Sequence, residues 1–290
     1  MKKTLTIAIL VAAVLCASCS KVERVPEAFE LKQIAFDSYS HLSTKAGVST
    51  VSSINTFNVE AFHNLASGAV EGFFSATATK DTSGIWQTDG ETYYWPTESL
   101  PGGTESLDFF AYFGNGLTFN RGGFGISSDM PTLSYKVSDN IATQQDVLAD
   151  QVLYQQYVQS VPIHFSHILS QIIIQAGGKP LSDADIRYTV YEVSLGGLEQ
   201  LATEGTYAFG EDHWSLGSQR TAAPYDVPVS ANIDIINGQD TLTYNWAEGV
   251  VIPAGAPSVT FGDVTKDNSY LMLIPQNPDS SEQCNKGVRL

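Results

Sequence analysis

Cysteine is scarce in this chain of 290 residues, which contains only Cys16, Cys19 and Cys284. Two of the three lie close to the N-terminus, so the rest of the chain has no set of cysteines from which a disulfide framework could form. Its stability must come from buried apolar surface. Aromatic residues make up 11% of the sequence and can supply much of that surface.

Positive charge is also scarce, with 15 Lys and Arg against 31 Asp and Glu and a formal net charge of −16. An acidic surface repels the phosphates of nucleic acids and of anionic lipids, which argues against both as electrostatic partners. High net charge favours solubility. The balance therefore fits a protein that works outside the cytoplasm, but it does not indicate a fold.

The N-terminus carries a short apolar run, Leu5 to Leu15, behind Lys2 and Lys3. It is too short for a membrane-spanning helix, which needs about 20 residues, but it suits the core of a signal peptide. The segment Cys16 to Cys19 reads as a lipobox. We expect residues 1–18 to be removed as a lipoprotein signal peptide, with a lipid such as palmitate on Cys19 anchoring the chain to the outer membrane. The alternative is an ordinary secretory signal.

Helical periodicity is weak, and short alternating apolar segments separated by Gly, Asp, Asn and Pro predict strands instead. One helix candidate, Asp139 to Leu153, could equally be an extended surface loop. Asp89-Gly90 predicts a hairpin between Trp86 and the segment 93–95. The apolar faces that define the clearest strands are Phe57, Val59 and Ala61; Leu107, Phe109, Ala111 and Phe113; and Val161, Ile163 and Phe165.

This pattern predicts an all-β fold of β-sandwich type. Residues 19–33 are polar and charged and read as a tether. The Gly-Gly-Lys-Pro stretch at 177–180 suggests a boundary between an N-terminal domain, 34–178, and a C-terminal domain, 179–290.

No catalytic constellation stands out, so we expect no enzyme activity, no cofactor and no metal. His164 and His167 are three residues apart, which on a strand directs them to opposite faces. Asp183, Asp185 and Glu211-Asp212 lack the alternating ligands of a calcium loop and fit solvated turns better. The glycines at 114–125 do not lie between a strand and a helix start, so a phosphate-binding loop is not expected.

Aromatic residues offer one further binding hypothesis. Tyr93-Tyr94-Trp95 and Phe109-Phe110 could stack on sugars, although aromatics at period two belong more often to a core. Trp86 and Trp214 could form an exposed platform, in which case the chain would be a lipid-anchored glycan-binding protein of the cell surface. A secreted hydrolase is the weakest alternative, because no acid–base pair can be nominated.

Several segments follow the lipobox in a fixed order along the chain. They are Ser43 to Gly47, Ile54 to Phe62, Tyr93 to Pro96, Leu107 to Phe113, Gln145 to Ala149, Val161 to Ser170 with His167, Gly205 to Tyr207 and Leu271 to Gln276. Together and in this order they resemble the fimbrillin family, the pilus subunits of Gram-negative anaerobes. The resemblance implies two transthyretin-like β-sandwich domains in tandem. It also implies a structural subunit or an accessory tip or anchor component of a surface fimbrium.

In that family a trypsin-like protease removes an N-terminal strand, and a strand of the next subunit fills the groove by β-augmentation. Here the removable strand would lie near Leu31 to Tyr39, and the candidate cleavage point is Lys45-Ala46. Arg24 is a second basic residue, but cleavage there would leave the strand attached. The expected partners are other fimbrial subunits, the protease and the outer membrane, with host-surface glycans or proteins left open.

The C-terminal end departs from the resemblance. After Leu271 to Gln276 the family continues through more strands, whereas residues 277–290 are polar and show no alternation. We expect the second domain to be incomplete, either because the reading frame is truncated or because the chain is a divergent terminal subunit.

Overall fold

The computed structural model describes residues 31–40, 54–126, 129–172, 174–176, 188–190, 193–195, 201–211, 213–221, 223, 225–227, 231–232, 250–252, 259–261 and 271–276. Over these residues the chain is all-β, as the sequence predicts, with two short 3-10 helices at Thr97–Ser99 and Ile141–Thr143. Nowhere in these ranges is there a helix long and apolar enough to cross a membrane.

Seven strands close into a barrel. They are β1 (Phe36–Ser40), β2 (Thr56–Asn64), β3 (Val70–Lys80), β4 (Trp86–Thr88), β5 (Ser106–Phe113), β8 (Leu148–Gln155) and β9 (Val161–His167). Their order around the barrel is β1-β4-β3-β2-β5-β8-β9. Each pairing between them is antiparallel except that of β1 with β9, which is parallel.

A four-stranded sheet lies outside the barrel. Its strands are β6 (Thr118–Asn120), β7 (Thr132–Lys136), β14 (Glu204–Ala208) and β15 (His213–Leu216), in the order β15-β14-β7-β6. Residues from both sides of position 178 thus form one sheet, because β7 pairs with β14 over five residue pairs. The division into domains at 178, and the tandem transthyretin-like arrangement, stay predictions.

The remaining strands pair in small groups. They are β10 (Ser170–Ile172) with β20 (Leu271–Leu273), β12 (Tyr188–Val190) with β18 (Val250–Ile252), β13 (Val193–Leu195) with β16 (Tyr225–Val227), and the set β11 (Gln175–Ala176), β19 (Val259–Phe261) and β17 (Ala231–Asn232). Every one of these pairings is antiparallel.

The barrel core forms because alternate side chains of each strand point inward. The predicted apolar faces of β2, β5 and β9 supply it: nine of their ten residues are buried there, and the tenth, Phe113, is partly buried against the same core. The nine are Phe57, Val59, Ala61, Leu107, Phe109, Ala111, Val161, Ile163 and Phe165.

A second core lies between the outer face of the barrel and the four-stranded sheet. Phe62, Phe110 and Tyr112 project from the barrel, and Leu133 and Tyr207 are among the residues that face them from the sheet. Because β2 and β5 are covered on both faces here, these strands act as the middle layer of the fold. Packing against two layers is the arrangement that buries most apolar area per strand.

Asp108 is the exception in this middle layer, since it is a carboxylate that is 2% exposed. It lies where the pairing of β5 with β8 shifts register, and its Oδ1 accepts the backbone N–H of Tyr154 at 2.6 Å. Tyr154 is left-handed, with φ 54°. Burial raises the pKa of Asp108, while hydrogen bonds from Tyr154 and Asn64 act in the opposite direction.

Two local predictions are wrong. The segment Asp139 to Leu153 is not a helix, because it contains a 3-10 turn at Ile141–Thr143 and then the first part of β8. Asp89-Gly90 turns the chain, but β4 pairs with β3 and β1, and Tyr94 forms an isolated bridge with Gln33. The proposed hairpin between Trp86 and Tyr93 is therefore absent from the described residues.

The burial of the Asp108 carboxyl can be tested through the pH dependence of the protein's stability. A pKa above the ordinary value means that ionisation opposes folding, so the destabilising effect is absent at low pH and develops as pH rises above the unfolded-state pKa. Asp108→Asn keeps an oxygen acceptor for Tyr154 but cannot ionise. We expect Asp108→Asn to be more stable relative to wild type at pH 7 than at pH 3, so that its free energy of unfolding minus that of wild type is larger at pH 7.

Urea unfolding of both proteins at the two pH values measures that difference. Asp37→Asn, on an exposed carboxylate of β1, is the matched control and is expected to show little change. A relative stability of Asp108→Asn that falls as pH rises would contradict the assignment.

Candidate functional site

The N-terminal strand β1 is the middle strand of one wall of the barrel. It pairs with β9 over five residue pairs, from Phe36 opposite Val161 to Ser40 opposite Phe165. On its other side it pairs with β4 only at Phe36 opposite Trp86. The strand predicted near Leu31 to Tyr39 is thus present, and it is attached far more extensively to β9 than to β4.

Its side chains complete the barrel core. Ile34 and Phe36 are both 0% exposed. The ring of Phe36 meets those of Phe57 and Phe109 edge to face, with centroids 5.8 and 5.7 Å apart. Burying one Phe side chain stabilises a fold by about 1.5–3 kcal/mol, so β1 contributes substantially to the barrel it closes.

The residues before β1 are held by a distant segment. Ile34 donates its N–H to the carbonyl of Tyr93 at 2.9 Å, and Trp95 donates to the carbonyl of Lys32 at 2.8 Å. Tyr93 stacks on Phe74 with a centroid distance of 4.2 Å. The predicted aromatic segment 93–95 therefore has a structural role, which is to hold the chain that leads into β1.

Ser38 of β1 continues the inward-facing alternation of Ile34, which precedes the strand, and Phe36, its first residue. Its hydroxyl oxygen is buried and has no hydrogen-bond partner among the described residues. A buried hydroxyl without a partner costs roughly 1–3 kcal/mol. Residues 34–38 thus combine two fully buried apolar side chains with one polar side chain that lowers the stability of this segment in the barrel.

The tryptophan platform predicted for sugar binding is wrong, since Trp86 is 1% and Trp214 is 8% exposed. Trp86 packs against Phe57 in the barrel, and the indole N–H of Trp214 donates to the carbonyl of Ile168 at 2.6 Å. Phe109 and Phe110 are also fully buried. Among the aromatic residues proposed for sugar stacking, Tyr94 is the most exposed, at 39%, and a single exposed ring does not make a platform.

The histidines of β9 differ in their surroundings. His164 is exposed, whereas the Nδ1 of His167 lies 2.7 Å from the Oδ2 of buried Asp146. Sequence reasoning placed the two histidines on opposite faces but gave no signal for the Asp146 pair. Within the described ranges, no group of three or more His, Cys, Asp or Glu could hold a metal ion.

A polar cleft lies on the outer face of the barrel, lined in part by Glu60, Ser75 and Tyr112. The Oε1 of Glu60 accepts hydrogen bonds from Ser75 at 2.9 Å and from Tyr112 at 3.4 Å. Burial, together with the nearby Glu60 carboxylate, raises the pKa of Tyr112 to about 12. Burial also raises the pKa of Glu60, so both groups keep their protons more tightly than usual.

Two predicted site residues, Cys19 and Lys45, lie outside the described residues, as do Arg24, Asp183, Asp185 and Asp212. Glu211 is described and exposed. Lys45 lies in the part of the chain between β1 and β2, so cleavage after it would separate β1 from the rest of the barrel in the covalent chain.

Several solved structures match this chain. A fimbrial protein from Bacteroides vulgatus matches with 17% identity and a TM-score of 0.60, covering 84% of this chain and 77% of that one. A putative cell adhesion protein from Bacteroides ovatus matches with 14% identity, a TM-score of 0.44 and coverage of 87% and 80%. The fimbrial anchor protein Mfa2 from Porphyromonas gingivalis matches with 9% identity, a TM-score of 0.35 and coverage of 84% and 73%.

The first of these likenesses shows a shared fold, and the other two TM-scores are too low to support an argument. No curated protein matches the chain. The family model for fimbrillin-like proteins matches residues 43–286, which is most of the sequence. This protein belongs to the fimbrillin-like family.

Proposed function

We propose that this chain is a subunit or an accessory component of a cell-surface fimbrium, assembled by strand exchange after proteolysis removes β1. The family and the fold support a fimbrial or adhesive role. The observation that supports exchange is the position of β1. It is the middle strand of a barrel wall, and only one residue pair joins it to β4. Phe36 of β1 and Ile34, two residues before it, are completely buried.

Loss of β1 would leave a defined acceptor. The edge of β9 would lose the partner of all five of its β1 pairs, and the core would lose Ile34 and Phe36, the second of which packs against Phe57 and Phe109. A strand with apolar side chains two residues apart could restore both the ladder and the core, which is the physical basis of β-augmentation. While β1 is in place it shields that edge against premature pairing.

The remaining parts of the proposal follow from the sequence. Lipid on Cys19 would hold the precursor at the outer membrane, and a trypsin-like protease would cut after Lys45. Other fimbrial subunits would be the partners, and the role would be structural without enzyme activity. The buried tryptophans remove the observation that favoured a glycan-binding lipoprotein, so we do not propose that function.

The cleavage step can be tested in cells with Lys45→Ala. We expect surface material sheared from wild-type cells to give a ladder of bands on an unboiled denaturing gel, because strand-exchanged subunits separate only when a whole ladder breaks. The variant should give monomer alone, retained with the cells. Lys136→Ala, on an exposed lysine of β7, is the control and should give the ladder. A ladder from Lys45→Ala would argue against cleavage at this residue.

The hold of β1 on the barrel can be measured separately. Phe36→Ala should lower the free energy of unfolding by about 3–5 kcal/mol, as expected for truncating a buried Phe. Ser38→Ala should raise it by about 1 kcal/mol, because it removes a buried hydroxyl that has no partner. After cleavage at Lys45, Ser38→Ala should also slow the release of the β1 fragment, followed by gel filtration under native conditions.

Asp37→Ala is the control for both substitutions, since Asp37 lies on the same strand and is exposed. Its effect should stay within about 0.5 kcal/mol. Equal stabilities of the Phe36→Ala variant and this control would show that β1 is not part of the cooperative barrel.

A further inference from the structure

The loop that follows β6 carries the sequence Arg-Gly-Gly at residues 121–123. Gly122 is exposed. Exposed loops with small residues are the preferred places for a protease to cut, and trypsin-like proteases cut after arginine and lysine. The sequence of this loop therefore indicates that the bond from Arg121 to Gly122 is a target for the same class of protease as Lys45.

The guanidinium of Arg121, however, makes three contacts with the protein itself. Its Nε donates to the carbonyl of Phe124 at 3.1 Å, and its Nη2 donates to the carbonyl of Val70 at 2.9 Å. Its Cζ lies 5.0 Å from the centre of the Phe62 ring, which is within the range of a cation–π contact. The first contact is made within the loop, and the other two join the loop to β3 and β2.

The rest of the loop lies close against the barrel. Gly125 has φ 82°, and a Cβ at this position would come within 2.5 Å of the Cβ of Val70. The ring of Phe124 meets those of Phe62 and Phe110 edge to face, with centroids 5.2 and 5.1 Å apart. A trypsin-like protease must take the whole basic side chain into its own specificity pocket, so the contacts of Arg121 have to break before the bond can be cut.

Other basic residues in the described ranges are protected in a different way, because their backbone is paired. Examples are Lys80 in β3, Lys136 in β7 and Arg220, which forms an isolated bridge. Opening paired backbone requires the loss of a ladder. Arg121 lies between β6 and β7 and outside both strands, so its side chain has to supply the protection.

We propose that the bond from Arg121 to Gly122 is a second cleavage site for trypsin-like proteases, and that the contacts of the Arg121 guanidinium keep it uncut in the folded protein. A cut here would place β2 and β5 on one fragment and β9, the main partner of β1, on the other. The biological consequence, which is that processing is confined to Lys45, rests on the proposed function. The protection of the bond does not.

The protection can be measured as a rate of cleavage. The mature chain carrying Lys45→Ala, in which β1 stays attached, is digested with trypsin, and mass spectrometry follows the cut after Arg121 at early times. A synthetic peptide of residues 117–126 gives the rate for the same bond without the fold. We expect the protein to be cut here roughly a hundredfold more slowly or less, because two hydrogen bonds from a charged group must open first. Equal rates in protein and peptide would overturn the proposal.

The role of the guanidinium is tested with a protease that does not need it. Chymotrypsin accepts aromatic side chains, so its cut after Phe124 reports opening of the loop whatever residue stands at position 121. In the same chain, Arg121→Gln removes the positive charge and the forked set of donors. We expect the cut after Phe124 to become roughly tenfold faster or more.

Arg220→Gln is the matched control for this variant. Arg220 also donates to carbonyls of its own loop, at 2.6 and 3.1 Å, but that loop lies elsewhere in the chain. The control should leave the cut after Phe124 unchanged. An Arg121→Gln chain that keeps the parent's circular dichroism and unfolding midpoint, and is cut after Phe124 at the parent's rate, would overturn the proposal.

Should Arg121→Gln fail to fold, Arg121→Lys decides the question. Lysine keeps the charge and the trypsin site but lacks the planar fork that bonds two carbonyls at once. We expect trypsin to cut after residue 121 roughly tenfold faster than in the parent, and an unchanged rate would overturn the proposal. None of these measurements involves fimbrial assembly, so a cleaved wild-type chain that fails to polymerise would refute the proposed function and leave this result standing.

Discussion

The fold depends on the burial of β1 within the barrel. Phe36 packs against Phe57 from β2 and Phe109 from β5, so three strands that are distant in sequence meet at one aromatic contact. The ring of strands is closed only through β1, because β4 and β9 are joined by it and not to each other. A strand that is central to the core is thus also one that lies at the very start of the described chain.

Because β1 pairs far more extensively with β9 than with β4, the two sides of the strand contribute differently to its attachment in the barrel. A strand attached equally on both sides could leave only by breaking two ladders. Here one ladder of five pairs joins β1 to β9, and contact with β4 is a single pair. On the second side the chain is held by this pair, by the hydrogen bonds that join Lys32 and Ile34 to the segment 93–95, and by its apolar side chains. A replacement strand needs only matching apolar side chains and a backbone able to pair with β9.

The sequence predicted those features that depend on local alternation. The inward faces of β2, β5 and β9 could be read directly, because side chains at period two must share a face. The same rule failed at Asp139 to Leu153, because Val147, Leu148 and Ala149 are covered on both sides and form a continuous apolar run. Periodicity cannot separate such a run from a helical segment.

Contacts between residues distant in the chain could not be predicted from the sequence, for a different reason. Nothing near Asp108 in the sequence indicates that its carboxyl will be buried, and nothing near Asp150 indicates that its carboxylate will accept the N–H of His164. Pro162 lies within β9, where its missing N–H falls on the side away from β1 and leaves the ladder with β1 intact. Which side of a strand a proline occupies is set by the partners with which the strand pairs, and alternation along the sequence does not reveal those partners.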